Sequence, residues 1–278
     1  MLSTTWNILK RRDLLYELVL AEVRTATAGR ALGWLWWILD PILMMFIYWF
    51  VVGVLLGRQG GGIYHPYWLF VFCGLVVWKH VAGAMAQSAV ALIQGYSLIR
   101  SVPFPTAILP LARACSGFFF FLLGFLVFVL MRMTVDVSSW TGTPLSWVQV
   151  PVLMLFQLVI VAGLALPIAA LGAVYRDVSN LLGHVLRVAF YLSPCLYGAE
   201  WMRDSAIHRF GEQTGELVYR LYMLNPFAII IEGYRAAVLH GTFLPPEHWG
   251  VLGIETVIFL FAGFWVYHHY DRRVVKFL

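Results

Sequence analysis

The sequence contains only three lysines, Lys10, Lys79 and Lys276, and none of them follows a glycine. The phosphate-binding loop of P-loop nucleotidases requires a glycine directly before its lysine. The chain therefore has no such loop of its own. If it moves a substrate at the expense of ATP, another chain must bind the ATP.

Patterns typical of catalytic and metal sites are also missing. The sequence has no His-Glu-x-x-His, no Gly-x-Ser-x-Gly and no Gly-x-Gly-x-x-Gly. Its cysteines, Cys73, Cys115 and Cys195, lie in apolar stretches without Cys-x-x-Cys spacing. Neither a disulfide framework nor a zinc site is predicted. We expect no catalytic residue, no bound metal and no cofactor in this chain.

Charged side chains are scarce, and apolar ones dominate. Only 12% of the residues are charged and 61% are hydrophobic, and the mean hydropathy is +0.80. Soluble domains have roughly 45–50% apolar residues. Several apolar runs also reach the roughly 20 residues that cross a bilayer as a helix. We predict an all-α polytopic membrane protein that forms one transmembrane domain over residues 1–278.

The predicted topology starts with a helix on the membrane surface and continues with six spans. Residues 8–28 combine charged side chains with apolar ones at helical spacing, which is typical of an interfacial helix, and we assign the first 30 residues to it. The six-span channel half then covers residues 31–278. The predicted spans are 33–56, 67–92, 107–132, 149–172, 180–198 and 250–269.

The distribution of basic residues orients this topology. Twelve fall on one face: Lys10, Arg11, Arg12, Arg24, Arg30, Arg100, Arg113, Arg176, Arg187, Arg272, Arg273 and Lys276. Six fall on the other face: Arg58, Arg132, Arg203, Arg209, Arg220 and Arg235. Cytoplasmic loops carry the excess of basic residues. Since an even number of spans returns the chain to its starting side, both termini are predicted to be cytoplasmic.

The segment from Ala199 to Gly250 does not fit a simple span. It is polar over 200–215, moderately apolar over 217–224, interrupted by Asn225 and Pro226, and apolar again over 227–239. The last run is too short to cross a bilayer but long enough to enter it and return. We predict external re-entrant helices here, with a surface loop of two short helices as the alternative.

Aromatic residues and one lysine suggest a path through the membrane. The first span carries Trp36, Trp37, Phe46, Tyr48 and Trp49, and Lys79 lies deep in the second span beside His80. Aromatic rings stack on sugars, and a charge in a span is costly unless it faces a cavity, a polar partner or a subunit interface. These six residues, His80 excluded, are our candidates for the substrate path. Lipid-facing packing of the aromatics and a snorkelling lysine are the alternatives.

Two short segments on the predicted cytoplasmic side have the character of docking surfaces. Gln94 to Pro105 joins spans two and three, and Tyr175 to Asn180 joins spans four and five. Both are small amphipathic segments on the side that ATP can reach. Plain connecting turns are the alternative.

Four stretches of the chain resemble, in family order, the ABC-2 type permeases that export polysaccharides. The run from Arg24 to Pro41, with Leu32-Gly33-Trp34-Leu35-Trp36 before Asp40-Pro41, is similar to the entry motif of that family. The other similar stretches are Ser101-Val102-Pro103-Phe104-Pro105, Tyr175-Arg176-Asp177-Val178, and Leu224-Asn225-Pro226 followed by Glu232 and Arg235.

The resemblance implies a half-transporter of the bacterial inner membrane. Two copies of the chain would form the channel, and two copies of a separate ATPase, which binds ATP and magnesium, would dock below. The implied cargo is a lipid-linked polysaccharide of the capsule or O-antigen type, and no nucleic acid is involved. The resemblance places ATPase coupling at Gly95, Ser97, Leu98, Ile99, Arg100, Tyr175, Arg176 and Asp177. It places an external gate at Asn225, Pro226, Glu232 and Arg235.

Two other functions stay open from the sequence. A drug or antibiotic efflux permease would share the same scaffold. An intramembrane protease or lipid-modifying transferase would need a nucleophile or acid pair inside the membrane, for which Ser97, His80 and Glu255 are the only weak candidates.

Overall fold

The computed structural model describes residues 11–29, 32–33, 35–55, 57, 66–102, 104–135 and 143–277, with backbone only at 27 and 271–277. All regular structure in these ranges is helical. The helices are α1 Arg12–Thr27, α2 Leu35–Tyr48 with a π-helical continuation Trp49–Leu55, α3 Tyr67–Gln94, α4 Tyr96–Ser101, α5 Ile108–Thr134, a 3₁₀ turn Pro144–Val148, α6 Gln149–Val174, α7 Val178–Leu192, α8 Ala199–Phe210, α9 Glu212–Tyr222, α10 Pro226–Arg235 with a π-helical continuation Ala236–His240, and α11 Pro246–Phe277. Residues 8–10, Arg30, Trp34 and Arg58 of the predicted topology lie outside the described residues.

Five helices are long and apolar enough to cross a membrane. They are Leu35–Leu55, Tyr67–Gln94, Ile108–Thr134, Pro144–Val174 and Pro246–Tyr270. The all-helical, multi-pass membrane class is therefore confirmed. The predicted span 180–198 corresponds to α7, which is apolar but shorter, and which ends before Pro194 because proline cannot continue a helix. Fifteen residues rise about 22 Å, against about 30 Å of hydrocarbon, so the six-span count stays a prediction.

The α3 helix forms the centre of the bundle. In its apolar window 78% of the residues are buried, and it contacts α2, α5, α6, α7 and α10. A helix that is apolar on every side lies either in a protein core or in a membrane. By contrast only 11% of the residues are buried in the windows of α2 and α11, although both windows are at least as apolar as that of α3. Their outer faces therefore have the composition of surfaces that contact lipid or another subunit.

Glycines allow two helix pairs to approach closely. A Cβ at Gly263 of α11 would lie 2.0 Å from the carbonyl oxygen of Gly163 in α6. A Cβ at Gly172 of α6 would lie 2.0 Å from the carbonyl oxygen of Ala89 in α3. Since real Cβ atoms never approach an oxygen so closely, these crossings require glycine. Such contacts are the usual way in which helices associate in membranes.

The two ends of the bundle differ. A separate apolar cluster, which includes Ala91, Leu109, Leu166 and Tyr267, closes the end that carries α4 and residues 175–177. We call this the α4 end. The other end carries α8 and α9, which form an antiparallel hairpin around Gly211 (φ +81°), and we call it the hairpin end.

The short helix α10 lies inside the bundle near the hairpin end. Asn225 caps its first turn, since its side-chain oxygen accepts a hydrogen bond from the Phe227 amide at 3.0 Å. Ala228, Ile229, Ile230 and Ile231 are fully buried. The predicted short apolar run 227–239 is therefore a buried helical segment. Whether it enters the membrane as a re-entrant helix stays a prediction.

Candidate functional site

A cleft of about 410 Å³ opens between α2, α3 and α7. Its walls carry, among others, Asp40, Tyr48, Trp78, Lys79, Arg187 and Tyr191. We call it the α2–α3–α7 cleft. It combines two cations, one carboxylate and several aromatic rings.

Lys79 is held at the inner wall of this cleft by Asp40. The two side chains form an ion pair at 2.8 Å, and they are 27% and 49% exposed, respectively. The Lys79 ammonium also donates to the Trp37 carbonyl at 3.4 Å and lies 5.2 Å from the centroid of the Trp37 ring. That ring stacks on Phe120 with a centroid distance of 3.9 Å. A lysine within the central helix is thus compensated by a counter-ion and an aromatic face.

The structure gathers only part of the predicted substrate path around this cleft. Tyr48 and Lys79 line it, whereas Trp37 supports Lys79 from behind. Trp36 and Phe46 are exposed on the outer face of α2 and do not line this cleft. Trp49 is half-buried and packs against Phe46 and the main cluster. Their role in a substrate path stays a prediction.

Sequence reasoning missed three residues of the cleft, Trp78, Arg187 and Tyr191. Arg187 was counted only as a basic residue of the cytoplasmic face. The available signal was its place on α7, where polar residues recur at helical spacing in an apolar helix.

His80 is part of a buried hydrogen-bonded chain rather than of the cleft. Its Nδ1 accepts a hydrogen bond from the Gln157 side-chain amide at 2.8 Å, and its Nε2 lies 3.3 Å from the Ala114 carbonyl oxygen. Gln157 in turn accepts a hydrogen bond from the Tyr234 hydroxyl at 2.9 Å. A neutral imidazole with its proton on Nε2 satisfies both contacts. The chain ties α3, α5, α6 and α10 together, which is a structural task.

Two of the predicted gate residues, Glu232 and Arg235, meet in a cluster near the hairpin end. The guanidinium of Arg235 is fully buried and forms an ion pair with Glu232 at 3.0 Å. It also donates to the carbonyl oxygens of Phe70 and Cys195, each at 3.1 Å, and to that of Tyr197 at 3.3 Å. We call this the Arg235 cluster. It joins α3, the 193–198 connection and α10.

Neighbouring contacts extend the Arg235 cluster to α8. Glu232 also accepts a hydrogen bond from the Ala199 amide at 3.0 Å, at the first residue of that helix. Asn225 donates to the Ser193 hydroxyl at 2.9 Å. Pro226 is buried at the first position of α10, where a missing amide hydrogen costs nothing. The cluster thus determines where the hairpin leaves the bundle.

The predicted coupling residues occupy two segments at the α4 end. In α4, Leu98 and Ile99 pack against the apolar cluster, whereas Ser97 and Arg100 are exposed. A Cβ at Gly95 would lie 2.5 Å from a methyl carbon of Leu109, so a larger residue at this junction would have to displace the Leu109 side chain. Helix α4 is therefore anchored on one face and free on the other.

The second segment follows the end of α6. Tyr175, Arg176 and Asp177 are all exposed, and the preceding residue, Val174, packs on the same apolar cluster as α4. Both segments thus project from one packed end of the bundle. Whether they contact an ATPase stays a prediction.

The surface helix α1 is attached beside these segments. Arg113 at the start of α5 forms an ion pair with Glu22 of α1 and donates to Gln94 at 2.9 Å. Burial raises the pKa of Glu22, and the nearby Arg113 opposes that shift. Leu18 adds an apolar contact with the cluster at the α4 end. The described part of α1 therefore rests against α5, and Arg113 links this contact to the end of α3.

With this geometry in place, comparison with known proteins identifies a class. No family model matches the chain. The chain is nevertheless homologous, over almost its whole length, to permease proteins of bacterial polysaccharide export systems. The predicted resemblance to ABC-2 type polysaccharide exporter permeases is therefore confirmed.

Three relatives define the particular similarity. The O-antigen export system permease protein RfbA of Myxococcus xanthus is 24% identical over 265 residues, which cover 95% of this chain and 94% of the relative. RfbA of Klebsiella pneumoniae is 23% identical over 267 residues, which cover 96% and 95%. The polysialic acid transport protein KpsM of Escherichia coli is 22% identical over 259 residues, which cover 93% of each chain.

Proposed function

We propose that this chain is the transmembrane subunit of an ATP-driven exporter that moves lipid-linked polysaccharide, of the O-antigen or capsule type, across the bacterial inner membrane. The observation that supports this function best is its similarity, from end to end, to permeases named for O-antigen and polysialic acid export. The multi-pass helical structure fits the same role.

The power source belongs to a second chain in this proposal. The sequence has no phosphate-binding loop, so two copies of a separate ATPase bind ATP and magnesium, and two copies of this chain form the channel between them. The ATPase contacts the exposed faces of α4 and of residues 175–177, and α1 transmits motion through its contact with Arg113.

The proposed topology has six crossings with both termini in the cytoplasm. Helix α7 and the buried 193–198 connection together make the fifth crossing, and α8, α9 and α10 form the external gate. The Arg235 cluster fixes this gate to the bundle. An impermeant thiol reagent tests the topology on intact cells: Thr214→Cys in α9 should react at once, and Ser97→Cys in α4 only after permeabilisation. The reverse labelling would contradict the orientation.

Reconstitution tests the proposed division of labour. The purified chain in lipid nanodiscs should hydrolyse no ATP, and co-purification with its nucleotide-binding subunit should give hydrolysis that depends on both chains. Hydrolysis by the purified chain alone would contradict the proposal.

A further inference from the structure

Helix α7 has three different faces, each marked by residues at three- and four-residue spacing. The first face packs on the bundle through Leu182, Leu186, Ala189 and Phe190. The second is apolar and more than half exposed, and consists of Leu181, Val185, Val188 and Leu192. The third is polar, and consists of Asn180, His184, Arg187 and Tyr191, all exposed. We call the third face the polar stripe.

A polar stripe in a membrane helix requires a polar surrounding. A charge in hydrocarbon is costly, so such residues face a water-filled cavity or another polar group. Within the part of the chain that the structure describes, Arg187 has no ion-pair or hydrogen-bond partner. The Arg187 side chain borders the open space of the α2–α3–α7 cleft, and Tyr191 lines the same cleft. Arg187 and Tyr191 therefore connect the polar stripe to the cleft.

The charges in the cleft do not balance. Asp40 neutralises Lys79 at 2.8 Å, whereas Arg187 has no such counter-ion among the described residues, so the cleft carries one uncompensated positive charge. A guanidinium matches the geometry of a phosphate or carboxylate with two parallel hydrogen bonds. The rings of Tyr48, Trp78 and Tyr191 add flat faces of the kind that pack against sugars.

We propose that the α2–α3–α7 cleft binds an anionic group of the transported glycan, with Arg187 as the permanent cation and Lys79 as a second cation that becomes available when the anion displaces Asp40. This inference rests on the proposed function. The anion is either a phosphate that links the glycan to its lipid carrier or a carboxylate of an acidic sugar. Both sources require the same cation pair.

The proposal predicts opposite effects for two substitutions. Arg187→Gln removes the unpaired cation and should weaken binding of an anionic probe about tenfold or more, as expected when one charge-assisted contact is lost. Asp40→Asn removes the competing carboxylate and should tighten binding of the same probe. Arg209→Gln is the matched control, because it removes an exposed arginine of α8, which does not line the cleft. Thermal unfolding of each variant verifies that it is folded.

Binding is measured on the full chain in nanodiscs made from zwitterionic lipid. One pair of probes is a polyprenyl phosphate and the unphosphorylated polyprenol of equal length, and the other is an oligosaccharide that contains glucuronate and its neutral counterpart. Preference for one charged probe, lost in Arg187→Gln and kept in Arg209→Gln, would support the proposal and identify the source of the anion. Equal binding of charged and neutral probes, or equal effects of the two arginine substitutions, would overturn it.

If Asp40→Asn does not fold, the comparison of Arg187→Gln with Arg209→Gln still tests whether the cleft binds an anion. The result also separates this inference from the proposed function. If cells with the wild-type chain export polysaccharide but the chain shows no preference for charged probes, only the anion site is rejected. If cells with the wild-type chain export no polysaccharide, the proposed function itself is rejected.

Discussion

Replacement of Arg235 by glutamine should cause a large loss of stability, because its guanidinium is a fully buried cation with four acceptors. The change breaks the ion pair with Glu232 and removes the donors to the carbonyl oxygens of Phe70, Cys195 and Tyr197. It also removes the cation that lies 3.4 Å from the centroid of the Phe70 ring.

The magnitude follows from the burial of this pair. Removal of one partner of a buried ion pair costs about 3–5 kcal/mol. Glu232, whose side chain is 22% exposed, would lose its counter-ion and keep its hydrogen bond from the Ala199 amide. The total stability of a folded domain is only about 5–15 kcal/mol. We expect a loss of about 4 kcal/mol, which corresponds to a decrease of roughly 10 °C in the melting temperature. Arg235→Lys should lose less, since it keeps the charge but not the fork of donors.

The assay is thermal unfolding in detergent. After heating to each temperature, the fraction of protein that still elutes as a single species in size-exclusion chromatography is measured. The matched control is Arg203→Gln, which breaks an Arg–Glu contact of 2.8 Å whose arginine side chain is 49% exposed. Exposed pairs contribute about 0–1 kcal/mol. Equal shifts for Arg235→Lys and Arg203→Gln would refute the reasoning, even if Arg235→Gln does not fold.

Three further predictions concern the other contacts. Gly263→Ala should destabilise the protein by about 1–3 kcal/mol, because its new methyl group must separate α6 from α11. Gly253→Ala is the control and should not destabilise it, because a Cβ at that position would meet no atom within 4 Å. Thermal unfolding compares the two variants. Arg113→Gln should release α1, so that hydrogen exchange measured by mass spectrometry rises in that helix by about tenfold or more but stays unchanged in α3; unchanged exchange in α1 would exclude the attachment. Asp177→Lys should reduce export by about tenfold while the folded protein and its dimer remain, if this exposed carboxylate contacts the ATPase; normal export would argue against the contact.

Hydropathy predicted the bounds of four spans closely, and the first of them, 33–56, corresponds to the observed Leu35–Leu55. The predicted spans 67–92, 107–132 and 149–172 agree with Tyr67–Gln94, Ile108–Thr134 and Gln149–Val174 to within two residues. Hydropathy could not show that the second of the predicted spans is central and the first peripheral. Lipid and protein interior are equally apolar, so both environments select the same residues.

A residue of the candidate site could be predicted only where it stood out in the sequence by itself, without knowledge of its partner in space. Lys79 was visible as a charge in an apolar run, whereas its counter-ion Asp40 lies on another helix and can be paired with it only in three dimensions. Arg235 was recognised from family resemblance, but three of its four acceptors, the carbonyl oxygens of Phe70, Cys195 and Tyr197, are far from it in sequence. Arg187 illustrates a different difficulty. A count of basic residues assigned it to a membrane face, while the structure places it in the wall of the cleft.

The central claim is that this chain exports polysaccharide and depends on a separate ATPase to do so. Its most direct test is deletion of the gene from its own host, followed by fractionation of the lipid-linked glycan and measurement of drug susceptibility. The account predicts that the glycan accumulates inside the cell, that the surface loses it, and that drug susceptibility is unchanged. Normal surface polysaccharide together with increased drug sensitivity would contradict it and indicate an efflux permease.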